Sequence, residues 1–510
     1  MKIKTIISTL VLFFVVGVSL GAERPLIPLP NSYSAKTDGV FKLNSSTAIN
    51  VVSDTPELKR MASYLKELIK PAAGYSLALS KSNSATKRNT INLKLDKSSA
   101  SSLPGAYSLD VSSDKIVISA QDARGVFYGI QTLRQLLPPE IEATSPQKIN
   151  WTIPACVIKD SPRYQHRGAM LDIARHFFEV KDIKTFIDYL AMYKFNILHL
   201  HLADDQGWRI EIKSWPKLTE IGGSTAVGGG KGGFLTQKQY VEIVKYAEDR
   251  FITIIPEVDM PGHVNAALAS YPELNPDNKA KKLYTKIGVG FSTLDTSKPV
   301  TYKFVEDVIR EISAITPGPY FHIGGDECKK TKREDYKTFV EKVQKIVHKY
   351  GKIMIGWHEI NAVKLEPTTV KQVWKKKSME YLVTKKGPLI LSPADRVYLD
   401  MKCSQAFGHA TKLGLHWCGY TNVKKTYDWD PGSADCIMGV EAPLWTETVK
   451  NMDDLEMLVF PRLTSISEVA WSAQEGRKWD DFRKRLNVFV KRLDIMDINY
   501  YKSLEVWEKH

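Results

Sequence analysis

Cysteine is scarce. Five are spread over 510 residues, at positions 156, 328, 403, 418 and 436, with no C-x-x-C pair among them. An odd, scattered set is no disulfide framework and offers no zinc-finger spacing. One disulfide among Cys403, Cys418 and Cys436 stays open, its pairing unassigned. Long apolar runs are missing after the first twenty residues, which excludes a polytopic membrane protein. Tandem repeats and low-complexity tracts are absent as well. Charge of one sign is in modest excess only: 71 − 57 gives +14 over the whole chain. The densest basic pieces, Lys329–Arg333 and Lys375–Lys377, are short. They read as solvated surface rather than a nucleic-acid footprint, with a weak lean toward acidic or sulfated glycans.

What is present is an ordinary globular balance, 43% hydrophobic and 25% charged, which excludes disordered and collagen-like chains. Residues 1–22 read as a signal peptide. Lys2 and Lys4 precede an apolar core from Ile6 to Val18, and small residues follow to Ala22. The core is short for a membrane span; an uncleaved anchor is the alternative. The absence of a cysteine just after Ala22 argues against a lipoprotein. The expected mature protein is exported, periplasmic or extracellular, with no membrane span.

Residues 23–158 read as a small α+β domain. Val40–Leu43, Thr47–Val52, Ile91–Leu95, Ala106–Val111 and Lys115–Ala120 have strand character, and Ser112-Ser113-Asp114 signals a hairpin. Pro56–Ile69 has helical spacing after Thr55, and Asp122–Leu137 is a second helix closed by two prolines. From residue 159 to 510 the rhythm changes. Eight short apolar runs alternate with amphipathic helices such as Val180–Tyr193, Thr236–Arg250, Val300–Ile315 and Glu334–Tyr350. Buried, non-alternating strands in repeated strand–helix units imply a parallel sheet. Eight units fit an α/β (β/α)8 TIM barrel with a C-terminal helix at Trp479–Leu493. An open doubly wound sheet is the alternative.

Polar residues collect where these runs end, and a parallel barrel builds its active site there. Asp172, Arg175 and His176 follow the first run, and Asp204–Arg209 the second. The third ends Glu257-Val258-Asp259-Met260-Pro261-Gly262-His263, and the fourth Gly324-Gly325-Asp326-Glu327. Trp357, Trp374 and Trp445 sit at or near the ends of the fifth, sixth and eighth, and Asp395, Tyr398 and Asp400 follow the seventh. Carboxylates ringed by indoles suit a carbohydrate: the ring faces stack on sugar C–H surfaces while the acids bind hydroxyls or move protons. Two glycines before Asp326 and Glu327 allow a tight turn that aims both acids into one pocket. Repulsion between such neighbours pushes one toward its protonated form, the pairing that glycoside cleavage uses.

These segments resemble glycoside hydrolase family 20, the β-N-acetylhexosaminidases. The resemblance rests on residues 167–178, 201–209, 257–263, 322–327, 398–400 and 444–447, in that order, and it extends over nearly all the chain after residue 22. It implies an exo-acting, retaining enzyme that removes terminal β-linked GlcNAc or GalNAc, the substrate's own 2-acetamido group acting as nucleophile. Glu327 is then the acid and base, and Asp326 holds the acetamido N–H. Arg175 binds ring hydroxyls, Trp357, Trp374 and Trp445 box the acetamido methyl, and Tyr398 and Asp400 meet the acetamido group. Glu447 accepts from ring hydroxyls, and Asp204 with His263 supports Glu327. No cofactor or metal is implied, and the oligomeric state is left open. Three positions depart from the family pattern: Glu441 stands where many relatives have Gln, Leu235 where an aromatic is common, and Ile287–Thr296 lacks the usual cysteine and Pro-Gly. Competing readings are a metal-dependent amidohydrolase, suggested by His199-x-His201, and a catalytically dead glycan-binding protein.

Overall fold

The computed structural model describes residues 25–507, apart from 82–84, 86, 98–102 and 386. The expected signal peptide lies outside the described residues. Two sheets carry the molecule. The first has seven strands: β1 Ser32–Lys42, β2 Ala48–Val51, β3 Ala78–Lys81, β4 Thr90–Leu95, β5 Tyr107–Val111, β6 Lys115–Ala120 and β7 Thr152–Asp160. Their order is β1-β7-β5-β6-β4-β2-β3, antiparallel from β1 to β6 and parallel from β6 to β3. Helices Pro56–Ala73 and Ala123–Leu136 pack on it, each started by a side-chain cap from Thr55 or Asp122. The sequence reading finds the β5–β6 hairpin and both helices. It misses β3, whose residues are mostly exposed, and β7, where Pro154 interrupts the strand pattern.

The second sheet is a closed parallel barrel. Its strands are β8 His166–Asp172, β9 Ile197–His201, β12 Thr253–Glu257, β13 Tyr320–His322, β14 Ile353–Trp357, β15 Val370–Val373, β16 Leu389–Leu391 and β17 Ile437–Leu444. A two-stranded ribbon, β10 Ala203–Asp204 and β11 Gly207–Trp208, follows β9. Every one of the eight expected runs becomes a barrel strand. Strand side chains alternate in direction, so one parity of each strand faces the barrel axis. Ile197, Ile255, Ile355, Val370 and Ile390 form an apolar plug of that parity. Two residues further along the same strands come His199, Glu257, Trp357, Gln372 and Ser392. The barrel interior therefore turns from oily to polar toward the carboxyl ends of its strands. After β14 a short 3₁₀ turn, His358–Ala362, stands where a barrel helix would.

The two sheets are joined by a buried ion pair. Lys194, in a left-handed turn (φ 63°), extends its Nζ to Asp160 Oδ2 at 2.9 Å and to the Tyr107 hydroxyl at 2.9 Å. Trp471 donates its indole N–H to the other Asp160 oxygen. The helix Trp479–Ile495 clamps the opposite side: Arg485 pairs with buried Glu468 and donates to the Leu26 carbonyl, while Arg492 reaches Glu142. Tryptophans 208, 215, 429 and 471 are buried, and Trp479 packs at the core's edge. None of the five cysteines forms a disulfide. No helix among the described residues is long and apolar enough to cross a membrane.

Removing one partner of a buried pair strands the other charge at a cost of about 3–5 kcal/mol. Asp160→Ala should therefore lower the urea midpoint of unfolding sharply, followed by tryptophan fluorescence. A midpoint equal to that of the unaltered protein would show that the joint carries no stability.

Candidate active site

A cavity of about 260 Å³ opens at the carboxyl end of the barrel. That is near the lower bound of about 300 Å³ for small-molecule sites and suits one sugar ring. Arg175, Asp204, His263, Asp326, Glu327, Trp374, Tyr398, Asp400, Trp445 and Glu447 line it, ten of the eleven residues expected from sequence. The eleventh, Trp357, is buried behind the lining, its ring 5.8 Å from that of Trp445 and its indole N–H on Glu257 at 2.9 Å. Asp259, Ile287, Val289, Leu415 and Trp417 complete the wall.

The backbone at the acid pair is tightly constrained. Gly324 and Gly325 have φ of 66° and 91°, and a Cβ on Gly324 would fall 1.9 Å from Asp259 Oδ1. Asp259 occupies that space and accepts the Gly325 N–H at 2.9 Å. Glu327 and His263 are themselves left-handed, at φ 46° and 56°, a conformation that costs a non-glycine residue free energy. Both are held there because surrounding contacts fix the turn.

Electrostatics organise the floor. Arg175 pairs with Asp204 at 2.7 Å and with Asp172 at 3.0 Å, and donates to Gln206. His201 and His263 both donate to Asp204, at 3.0 and 3.3 Å. The far nitrogen of His263 lies 3.8 Å from Asp326 and 3.9 Å from Glu327. Burial pulls the His263 pKa down, but the carboxylates of Asp204 and Asp326 push it up to about 10. Burial likewise opposes ionisation of Asp204, yet Arg175 and His263 hold it well below the usual carboxylate range.

The chain of partners runs on into the barrel. His201 pairs with Glu257 through its second nitrogen, and His199 lies 3.0 Å from the same carboxylate. His199 then donates to Glu441 at 2.8 Å, which also meets His166 at 2.8 Å and Gln372 at 2.8 Å. Glu441, the acid that departs from the family pattern, is thus neither peripheral nor in the cavity: it closes the inner end of this network. Burial is overcome by Glu257 and its neighbours to raise His201 to about 10 and His199 to about 9. Both imidazoles are thus engaged by buried carboxylates of the barrel interior.

Two further acids near Asp326 have raised proton affinity. Asp259 is pushed well above its ordinary range by burial and by the Asp326 charge. Glu359, on the 3₁₀ turn after β14, is pushed up to about 7 by burial and Asp326. It accepts from the Trp374 indole at 3.3 Å. Sequence reasoning missed Trp417, although a tryptophan in the loop after β16 is the same kind of signal as the other ring tryptophans. It is 56% exposed and packs edge-on to Trp374 and Tyr398.

Four acceptor atoms in this wall are buried without a hydrogen-bond partner: Asp326 Oδ1, both oxygens of Asp400, and Glu447 Oε2. Burial raises the proton affinity of Asp400 and Glu447. Bare acceptors among indoles call for a ligand with several N–H or O–H donors and apolar faces. The chain matches the family models "Glycosyl hydrolase family 20, domain 2" over residues 23–161 and "Glycosyl hydrolase family 20, catalytic domain" over 164–474.

The chain belongs to glycosyl hydrolase family 20. It is 37% identical to a β-N-acetylhexosaminidase of Cellulomonas fimi over 92% of this chain and 94% of that one. The family 20 β-N-acetylhexosaminidase of Streptomyces coelicolor A3(2) superposes with a TM-score of 0.90 at 43% identity, covering 95% of this chain and 99% of that one. A mutant Streptomyces plicatus β-hexosaminidase in complex with product GlcNAc gives 0.89 at 44% identity, covering 95% and 98%. As a family 20 member this chain is a glycoside hydrolase with the two-sheet architecture expected from its sequence.

A histidine whose folded pKa lies above its free value near 6.5 adds stability that is complete below pH 6.5 and is lost as pH rises through the folded value. With His199 near 9 and His201 and His263 near 10, the melting temperature should fall as the pH rises from about 6.5 to about 10, most steeply at about pH 8, where the free imidazole is neutral and the folded ones are still charged. Asp204→Asn removes the partner of two of them and should flatten that alkaline limb in scanning fluorimetry. An unchanged limb would contradict the charge assignment.

Proposed function

We propose that the protein is an exo-acting β-N-acetylhexosaminidase that works by a retaining, substrate-assisted mechanism. The unpartnered acceptors on Asp326, Asp400 and Glu447 carry this reading, because a 2-acetamido sugar supplies the amide N–H and hydroxyl donors they lack. In the proposed reaction the acetamido carbonyl oxygen attacks C1 as the C1–O bond to the leaving group breaks. Glu327 gives its proton to the departing oxygen. Asp326 accepts from the acetamido N–H and stabilises the positive charge of the oxazolinium ring. Water then attacks C1, Glu327 takes its proton, the acetamide re-forms, and the β configuration is retained.

The remaining roles follow from position. Arg175 and Glu447 bind ring hydroxyls at the floor, a bidentate donor and a bare acceptor. Trp374 and Trp445, with Trp357 behind Trp445, enclose the methyl group. Tyr398 donates to the acetamido oxygen, with Asp400 beside it. The internal nucleophile needs only to be held against C1, and such positioning replaces a bimolecular encounter. A closed floor supports removal of one terminal residue at a time. Export is part of the proposal, on the strength of the N-terminal apolar run and its small-residue end.

Purified protein should release nitrophenol from 4-nitrophenyl N-acetyl-β-D-glucosaminide. Loss of a general acid costs about 10²–10⁴-fold. Glu327→Gln should show that loss on a disaccharide and a smaller one on the activated aryl glycoside, whereas Asp326→Asn should impair both. Equal, mild effects would reject the roles. No turnover of either the GlcNAc or the GalNAc glycoside would favour the glycan-binding alternative.

A further inference from the structure

The reading above places the leaving group on the Glu327 side of the cavity, since Glu327 must reach the departing oxygen. Three features meet on that side. Trp417 stands open to solvent at the rim, ready to stack on a second ring. Ile287 and Val289 line the cavity from the loop that departs from the family pattern, whose Gly290 lies against the Glu327 carbonyl. Between that loop and Glu327 lies Lys329, its Nζ 3.6 Å from Glu327 Oε1 and its side chain 65% exposed.

The placement of Lys329 is fixed by packing. Gly290 follows Val289 with φ 75°, and a Cβ there would sit 2.9 Å from Lys329 Cδ and 3.3 Å from its Cε. The aliphatic stem therefore rests on the bare backbone of Gly290, and the ammonium emerges at the cavity mouth beside the acid. Two other nearby lysines are engaged: Lys375 lies over Trp374 and pairs with Glu359 at 3.3 Å, and Lys402 donates to the Gly408 and Thr411 carbonyls. For Lys329 the one ion pair is with Glu327, and that carboxylate loses its charge whenever it takes up the catalytic proton. Each turnover thus leaves a cation without its partner next to the leaving group.

We propose that the leaving-group side of the cavity selects an anionic sugar, a uronate or a sulfated residue, through Lys329. This deepens the proposed function and rests on it. Exposed charge pairs contribute up to about 1 kcal/mol, so the selectivity is a preference of at most about fivefold and fades with salt.

The test compares two disaccharides differing only at one carbon of the leaving group: GlcNAc β-linked to position 4 of glucuronic acid and of glucose. Hydrolysis of the glucose compound at all checks the underlying activity; if neither compound is cleaved, that reading fails, and this one with it. Given cleavage, the ratio of kcat/KM for glucuronate over glucose should exceed one at low ionic strength and approach one in 0.5 M salt. Lys329→Gln should bring the ratio to one, and Lys329→Arg should keep it. Using a ratio cancels any effect of the substitution on Glu327 itself. A ratio of one in the unaltered enzyme, or the same ratio in Lys329→Gln, would overturn the proposal.

Discussion

A buried carboxylate surrounded by imidazoles is the constraint from which the site is built. Glu257 sits wholly inside the barrel with His199, His201 and His322 around it and the Trp357 indole N–H upon it. An isolated ion there would be intolerable, so its partners are obligatory and their rotamers are not free. His201 carries the constraint outward to Asp204, and Asp204 fixes both Arg175 and His263. The positive edge of His263 then faces the two acids at the cavity. Glu441 anchors the opposite end through His199 and His166. The reactive groups at the surface of the barrel are thus held by a polar column that reaches into its interior.

Strain concentrates at the same place. Left-handed backbone at His263 and Glu327, and the space Asp259 takes from Gly324, bring the two loops after β12 and β13 into one small volume. Asp259 fills the gap that a side chain would otherwise need, and burial and the Asp326 charge raise its proton affinity there. The turn is therefore also an electrostatic device: the residue that makes Gly324 necessary is the one that meets the Asp326 charge.

Much of this was legible in the sequence because strand ends and function coincide in a parallel barrel. The eight apolar runs are short, buried and separated by well-marked helices, and the acids that follow them are the ones in the cavity. The failures have local causes. β3 shows almost no buried face, and Pro154 disguises β7. Trp357 carries the ring signal of its neighbours, but its N–H is taken by Glu257, which draws it behind the lining. The raised proton affinity of Asp259 could not be seen from the Asp326-Glu327 pair, since it arises between residues 67 positions apart in the chain, on different strands. Glu441 is illegible for the same reason: its partners at 166, 199 and 372 come together only when the barrel closes.

The helix Trp479–Ile495 sets an order on assembly. Glu468 and the backbone at Leu26 wait for Arg485, and Glu142 waits for Arg492. During synthesis Glu142 finds Arg134 at once but meets Arg492 only 350 residues later, so the first sheet lacks one of its buried cations until the chain's end has left the ribosome. The molecule is fastened last by what is translated last, and a nascent chain halted before residue 479 would keep an open seam along the whole flank where its beginning and its end should meet.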